Sequence, residues 1–417
     1  MVWVQLGFAE VLPAREKVFP LLALARVVEP TSKRQTIRVL SELGVAAPSY
    51  DAITDCVWRC WERGYRAGIE QALAQVARVG SMSFCLYDVT TLHWETDVPD
   101  ELRKSGFSKQ RRLEPQIVLG LLTGSDGFPL LIREFEGNKA ETKTIIPVLD
   151  EFRAVNPQTR VTVIADAGML SEANLAALET AGYDFIVGGR IGAEPPGIVQ
   201  LWQIEHPGEA IADQQIFRIE DHGTKKNPHH WVQWFQYRHK RAVRELRGID
   251  KSVEKARKMA TGEQPVKRSR FVTDDGTGQW RLNEELVASA RDRAGIRSYK
   301  TNLVNASADQ IIGWYHQLWH VEHTFRMAKS DLKARPAFHH RAERIHAHLT
   351  IVLAGLAVAK RIEQLTGMSI LAFIHELKPI RHIKIDLGDG LTIQADNDLT
   401  NKAKEALTAI QQNNMWD

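Results

Sequence analysis

The chain has 417 residues, 47.1 kDa, with 44% hydrophobic and 25% charged residues, a balance that excludes wholesale disorder, collagen-like repeats and a disulfide-stapled miniprotein. This length predicts two or three domains. Fifty-four Lys and Arg against 51 Asp and Glu leave a formal charge of only +3, so only the distribution of charge can point to an anionic partner.

Residues 1–80 read as short helices joined by turns, with an apolar stretch from Phe19 to Val28 and Ser32 placed to cap a helix over Lys33–Leu43. Cys56 and Cys60, with Cys85 further on, make neither a disulfide framework nor a zinc-finger pattern and are read as reduced thiols. From 81 to 190 the texture becomes β-rich. Phe84–Tyr87, Gln116–Leu122 and Leu130–Phe135 read as strands, Glu141–Val155 as a helix, Val161–Ala165 as a buried strand, Ser171–Thr180 as a capped helix and Asp184–Val187 as another buried strand. Three strands followed by alternating helices and strands predict a mixed α/β sheet with helical cover.

Residues 191–300 read as an insertion containing a Trp-rich strand, Trp231–Tyr237, and a basic helix, His239–Ala260. Helices return over 301–365, where Trp314, Leu318, Val321 and Phe325 form a core-facing stripe. Residues 366–417 mix helix and short strands. The longest apolar run, Leu349–Ala359, is shorter than the ~20 residues a bilayer needs, and Met1–Ala9 lacks a signal-peptide pattern. A cytoplasmic protein with no membrane partner is therefore expected.

Three acids stand out. Asp88 and Asp166 each follow an apolar strand segment, which places them at a sheet edge where open α/β sheets bind ligands. Glu322 lies in a predicted Trp314–Lys333 helix, and Tyr315, Glu322 and Lys329, seven residues apart, are expected to share one face of it, binding metal at the carboxylate and DNA phosphates on either side. Taken singly, each acid is an ordinary turn or surface residue. Together they are the hard-oxygen set that Mg²⁺ prefers, and two such ions support phosphoryl transfer. A glycosidase carboxylate pair is the competing reading, but it leaves the basic insertion without a role.

The stretch Tyr315-His-Gln-Leu318-Trp-His-Val-Glu322, continuing to Lys329, resembles the signature of the DDE insertion-sequence transposases of the YREK group: Tyr, two residues, Arg, three residues, Glu, six residues, Lys. Leu318 stands where that signature has Arg, so any phosphate fork there would fall to another side chain such as Arg326. The resemblance extends through Asp88-Val-Thr-Thr-Leu, Gly106-Phe-Ser-Lys109, Gln116–Leu122, Glu136-Gly-Asn-Lys-Ala-Glu141, Ala165-Asp-Ala-Gly-Met169, Thr301-Asn302 and Arg335-Pro336 to His348.

It implies an RNase H-like catalytic domain in which Asp88, Asp166 and Glu322 hold two Mg²⁺ ions, or Mn²⁺. It further implies cut-and-paste transposition through a DNA hairpin, by a homodimer assembled on double-stranded element ends and target DNA. Residues 1–80 would then touch DNA and 366–417 the dimer partner. With only about 80 residues ahead of the first strand, a shortened end-recognition region is expected. The alternatives are a catalytically silent, transposase-derived DNA-binding protein and a related nuclease without strand transfer.

Between Lys225 and Lys258 eleven basic residues, Lys226, Lys240, Arg241 and Arg244 among them, face only Glu245, Asp250 and Glu254. Phosphate contact is the favoured reading, with a solvated helix as its alternative. Trp231 and Trp234, three apart on a strand, should point to opposite faces, one into the core and one available to stack on a base, with Trp280 another contender. Trp314 and Trp319 read as core. Lys104, Lys109, Arg111 and Arg112 would line a DNA channel. His339, His340, His346 and His348 lack a metal-ligand pattern.

Overall fold

The computed structural model describes residues 1–77, 82–93, 98–106, 114–140, 143–166, 171–189, 198–225, 228–265, 269–274, 279–332, 341–380, 382–386, 392–396 and 399–412. Lys109, Arg111, Arg112, Glu141, residues 167–169, Lys226, Arg335, Pro336, His339 and His340 lie outside them.

Twelve strands are described: β1 (Met82–His93), β2 (Gln116–Gly124), β3 (Pro129–Glu136), β4 (Arg160–Ala165), β5 (Asp184–Gly188), β6 (Ile216–Gly223), β7 (Pro228–Tyr237), β8 (Val272–Asp274), β9 (Trp280–Leu282), β10 (Ile296–Thr301), β11 (His382–Asp386) and β12 (Thr392–Asp396). Eight of them form one sheet in the order β3-β2-β1-β4-β5-β10-β7-β6, and β8-β9 and β11-β12 are separate hairpins. The first five positions, 3-2-1-4-5, carry the RNase H-like arrangement. Strands β7 and β6 of the predicted insertion continue the sheet through β10. The chain divides into two compact units, residues 1–163 with 317–417 and residues 164–316.

In the first unit, β1, β2 and β3 are successive antiparallel neighbours, with Asp88 opposite Leu121. β2 is an apolar run, buried from Gln116 to Thr123, as a strand covered on both faces must be. The β2–β3 turn is set by Asp126, whose Oδ1 accepts from the Phe128 amide at 2.9 Å, and by Gly127 in the left-handed region at φ +79°. Among the described residues, six helices precede the sheet. Ser32 caps Lys33–Glu42 as predicted, its side chain accepting from the Gln35 amide.

The helix Ala342–Thr366 is long and apolar enough to cross a membrane, yet 83% of its most apolar window is buried inside the protein. It is apolar on all sides because helices Val18–Val28 and Tyr50–Glu62 and strand β3 pack around it. A buried charge network ties these parts together. Arg66 donates to Glu134 (2.6 Å), to the Thr350 hydroxyl (3.1 Å) and to the His346 carbonyl (2.6 Å), and His346 Nδ1 meets the other Glu134 oxygen at 2.7 Å. Burial alone would raise the Glu134 pKa, but Arg66 and His346 bring it down to about 2. The role of His346 is therefore structural. Cys56, Cys60 and Cys85 are free and buried, and burial pushes the Cys60 and Cys85 thiols up to about 12, which leaves them unreactive.

In the second unit β5, β10, β7 and β6 are antiparallel neighbours. Ser171 caps Glu172–Thr180, and the basic helix runs over His239–Ala260 as expected. Val253 and Ala256 of that helix pack on Phe271, Val287 and Ala290. This small core gives the helix one apolar stripe and turns its charges outward.

Candidate active site

Asp166 follows directly on β4, whose last five residues are buried, and is itself exposed. Behind it, in the second unit, the hydroxyl of Tyr315 lies 3.3 Å from its Oδ1. Arg297 Nη2 donates to that same hydroxyl at 3.3 Å, with its guanidinium 4.9 Å from the centre of the tyrosine ring. The Tyr315 oxygen thus accepts from Arg297 and gives its own proton to Asp166. Tyr299 packs edge-on against the ring at 5.1 Å, and burial pushes the Tyr315 hydroxyl up to about 12, so it stays a donor.

The fit is tight. A Cβ on Gly188 would come 2.5 Å from the Tyr315 oxygen. Expected as a DNA contact, Tyr315 is instead only 2% exposed. What it can do is orient Asp166.

In the first unit Asp88 sits in the middle of β1 rather than at its end, because the β-branched Val89, Thr90 and Thr91 carry the strand on to His93. It is half-buried, and Oδ1 accepts from the Val89 amide at 2.8 Å. The predicted continuous helix around Glu322 is broken. One helix, Ala308–His316, ends in the second unit, and a separate one, Trp319–Arg326, begins in the first. At the join a tight turn bond, His320 N–H to Gln317 O at 2.9 Å, forms, and the Glu322 N–H to Leu318 O bond is long at 3.4 Å. Beyond Arg326 the chain winds as a π-turn, Met327–Asp331, which rotates Lys329 away from the position a seven-residue α-helical repeat would give. The continuous helix expected to carry Tyr315, Glu322 and Lys329 is therefore not formed.

The helix Trp319–Arg326 packs on β1 and β2. Thr324 Oγ1 lies 2.8 Å from the Gly127 carbonyl and 2.9 Å from that of His320. A Cβ on Gly127 would meet the His320 carbonyl at 2.9 Å, so the β2–β3 turn admits the helix only because residue 127 is glycine. Val321 and Phe325 face the core, and Trp319, Glu322 and Arg326 are exposed. Trp319, expected in the core, is 57% exposed one turn before Glu322. Leu318, in the arginine position of the signature, is buried, and Lys329 lies over the Phe325 ring at 5.2 Å. Burial lowers the pKa values of His320 and His323, with Lys360 acting in the same sense. Both are neutral at pH 7.

The aromatic and basic candidates of the second unit separate cleanly. Trp231 is fully buried, its Nε1 donating to Glu179 at 2.9 Å and its ring stacked on His229, so it has no face for a base. Trp234 is half-buried with Arg218 over its ring, and Trp280 is 39% exposed on β9. Arg241 is paired with Glu245. Lys240, Arg244, Arg247, Lys251, Lys255 and Arg257 are exposed on the basic helix. Lys104, in the first unit, is paired with Glu136 at 2.7 Å.

This strand order, with its helical cover, is that of an RNase H-like α/β domain. Residues 80–357 match the transposase DDE domain, and the chain belongs to that family. Among solved structures it is similar to piggyBac transposase in the cryo-EM structure of its synaptic complex with hairpin DNA, at 10% identity and a TM-score of 0.44, over 98% of this chain and 70% of that one. No curated protein sequence matches it.

Proposed function

We propose that the protein is a metal-dependent DNA transposase that cuts and rejoins element ends, with Asp88, Asp166 and Glu322 as its three catalytic acids. The observation that carries this reading is that the transposase DDE match, residues 80–357, spans all three. The donor set fits Mg²⁺: three carboxylates, none fully buried, of which Asp166 and Glu322 are exposed to water. When bound, the ions would lower the pKa of an attacking water and offset charge on the leaving oxygen.

The protein's own part is positional. Tyr315 would keep the Asp166 carboxylate aimed. Gly127 and Thr324 would hold the helix that presents Glu322. Arg326 and Lys329 would take phosphates, with the exposed cations of the basic helix as the longer electrostatic track. Trp234 remains the better placed of the two β7 tryptophans for contact with a base. Water attacks the phosphodiester and frees a 3′-hydroxyl, which then attacks the second strand to close a hairpin or the target strand to join it. Each step exchanges one P–O bond for another. A homodimer on DNA would hold the two ends.

The test is cleavage of a labelled duplex carrying the DNA that flanks the protein's own coding sequence, with and without Mg²⁺. Alanine at Asp88, Asp166 or Glu322 should abolish cleavage and leave DNA binding within about threefold, since each removes an interaction needed only in the transition state. Cleavage retained by any one variant removes that residue from the set.

A further inference from the structure

The outermost hairpin of the second unit, β6 with β7, holds a group of metal-type ligands that the reaction above does not use. Strand alternation places Glu220 and His222 on one face of β6. The register, in which Glu220 is opposite Val232, brings His230 of β7 to the same face. Asp221, His229 and Trp231 take the other face, where His229 pairs with Asp221 and stacks on Trp231. The register shifts between Asp221 and Gly223, an irregularity of the kind that re-aims a side chain. His230 Nε2 lies 3.3 Å, and His222 Nε2 3.6 Å, from Glu220 Oε2. The two imidazoles are stacked at 4.9 Å, and one ligand atom from each of the three residues lies within 4.8 Å of the others. The other Glu220 oxygen is held by Arg218 at 2.7 Å, so the carboxylate is oriented from outside with Oε2 turned toward the two rings. Support of that type fixes ligating carboxylates.

We propose that Glu220, His222 and His230 form a binding site for a borderline transition-metal ion of the Zn²⁺ type, distinct from the carboxylate set used for DNA chemistry. Two imidazoles and one carboxylate make a three-ligand set with a fourth position for water, a donor choice that suits Zn²⁺, Ni²⁺ or Cu²⁺ and disfavours Mg²⁺, which takes oxygen. The cluster joins β6, the last of the described strands of the sheet, to its neighbour β7. A metal there clips an exposed edge strand in place, and edge strands otherwise invite pairing with other chains.

The test is calorimetric titration of ZnCl₂ into the chelator-stripped, full-length protein in excess Mg²⁺, paired with the visible absorption of bound Co²⁺. One Mg²⁺-resistant equivalent is expected. His222→Ala and His230→Ala should each weaken it by roughly tenfold or more, and His229→Ala, on the opposite face, should not. Zn²⁺ should raise the Tm of the parent but not of the two binding variants. Because His222 and His230 are exposed, their metal-free melting should match the parent's. The proposal is overturned if the parent binds no Mg²⁺-resistant equivalent, if both variants bind as the parent does, or if His229→Ala alone abolishes binding.

Discussion

The second unit braces its candidate acid, Asp166, while the first leaves one of its two, Glu322, open. Asp166 has a buried tyrosine behind it, itself held by Arg297, Tyr299 and the missing side chain of Gly188. Glu322 stands on an exposed helix face, and among the described residues its carboxylate makes no hydrogen bond or ion pair; its placement comes from the backbone, through the approach of Thr324 to Gly127. Buried charge in the first unit serves the scaffold instead, at Arg66, Glu134 and His346. The lesson is that Asp166 is preorganised through its side chain and Glu322 through its helix, so different substitutions should disable the two.

The largest effect is expected at the scaffold. Arg66→Met leaves Glu134 buried beside His346 alone and should cost about 3–5 kcal/mol of stability, measured by urea unfolding at pH 7. The Glu134 carboxyl also gives a pH signature. Its folded pKa, about 2, lies below the ordinary 4.5, so its contribution is complete above about pH 4.5 and is lost as pH falls toward 2. The difference amounts to ~3 kcal/mol. Glu134→Gln should flatten the acid limb of the stability profile in that window; an unchanged limb would remove Glu134 as its source.

Next comes Gly127→Ala, which combines positive φ with a clash against the His320 carbonyl. It should destabilise the protein by about 2–3 kcal/mol and reduce cleavage by displacing Glu322. The same change at Gly262, also at positive φ but with nothing within 4 Å of its Cβ, should affect stability less and cleavage not at all.

Tyr315→Phe removes one hydrogen bond to a carboxylate, a contribution of about 1.5–3 kcal/mol, and should slow cleavage roughly 10–100-fold with DNA affinity unchanged. If affinity falls while the rate holds, Tyr315 is a DNA contact after all. The smallest effect should be that of Lys251→Gln on the basic helix, lowering the log–log salt slope of DNA binding by ~0.9 if it meets one phosphate, with the cleavage rate of bound DNA unaltered.

Much of the scaffold was legible in sequence. Ser32 and Ser171 marked helix starts, the run Val161–Ala165 marked β4, and the basic helix has its expected ends. The break at Gln317–Leu318 was not legible, because no Gly or Pro stands there and the i−3 bond that replaces the regular one depends on packing. The π-turn after Arg326 was hidden for the same reason, and with it the true direction of Lys329. The exposure of Trp319 is not legible in sequence, because the apolar stripe of its helix runs through Val321 and Phe325 and leaves the tryptophan on the opposite side. The Glu220, His222 and His230 cluster needed the β6–β7 register, and its only trace in sequence is a pair of His-containing segments, residues 220–222 and 229–230.

The central claim is that Asp88, Asp166 and Glu322 together hold the divalent ions of a DNA-cleaving centre. Electron paramagnetic resonance of Mn²⁺ bound to the full-length protein on duplex DNA tests it most directly. The account predicts that alanine at each of the three acids removes bound Mn²⁺ while His222→Ala leaves that signal intact. Undiminished Mn²⁺ binding in the Glu322→Ala protein would contradict it.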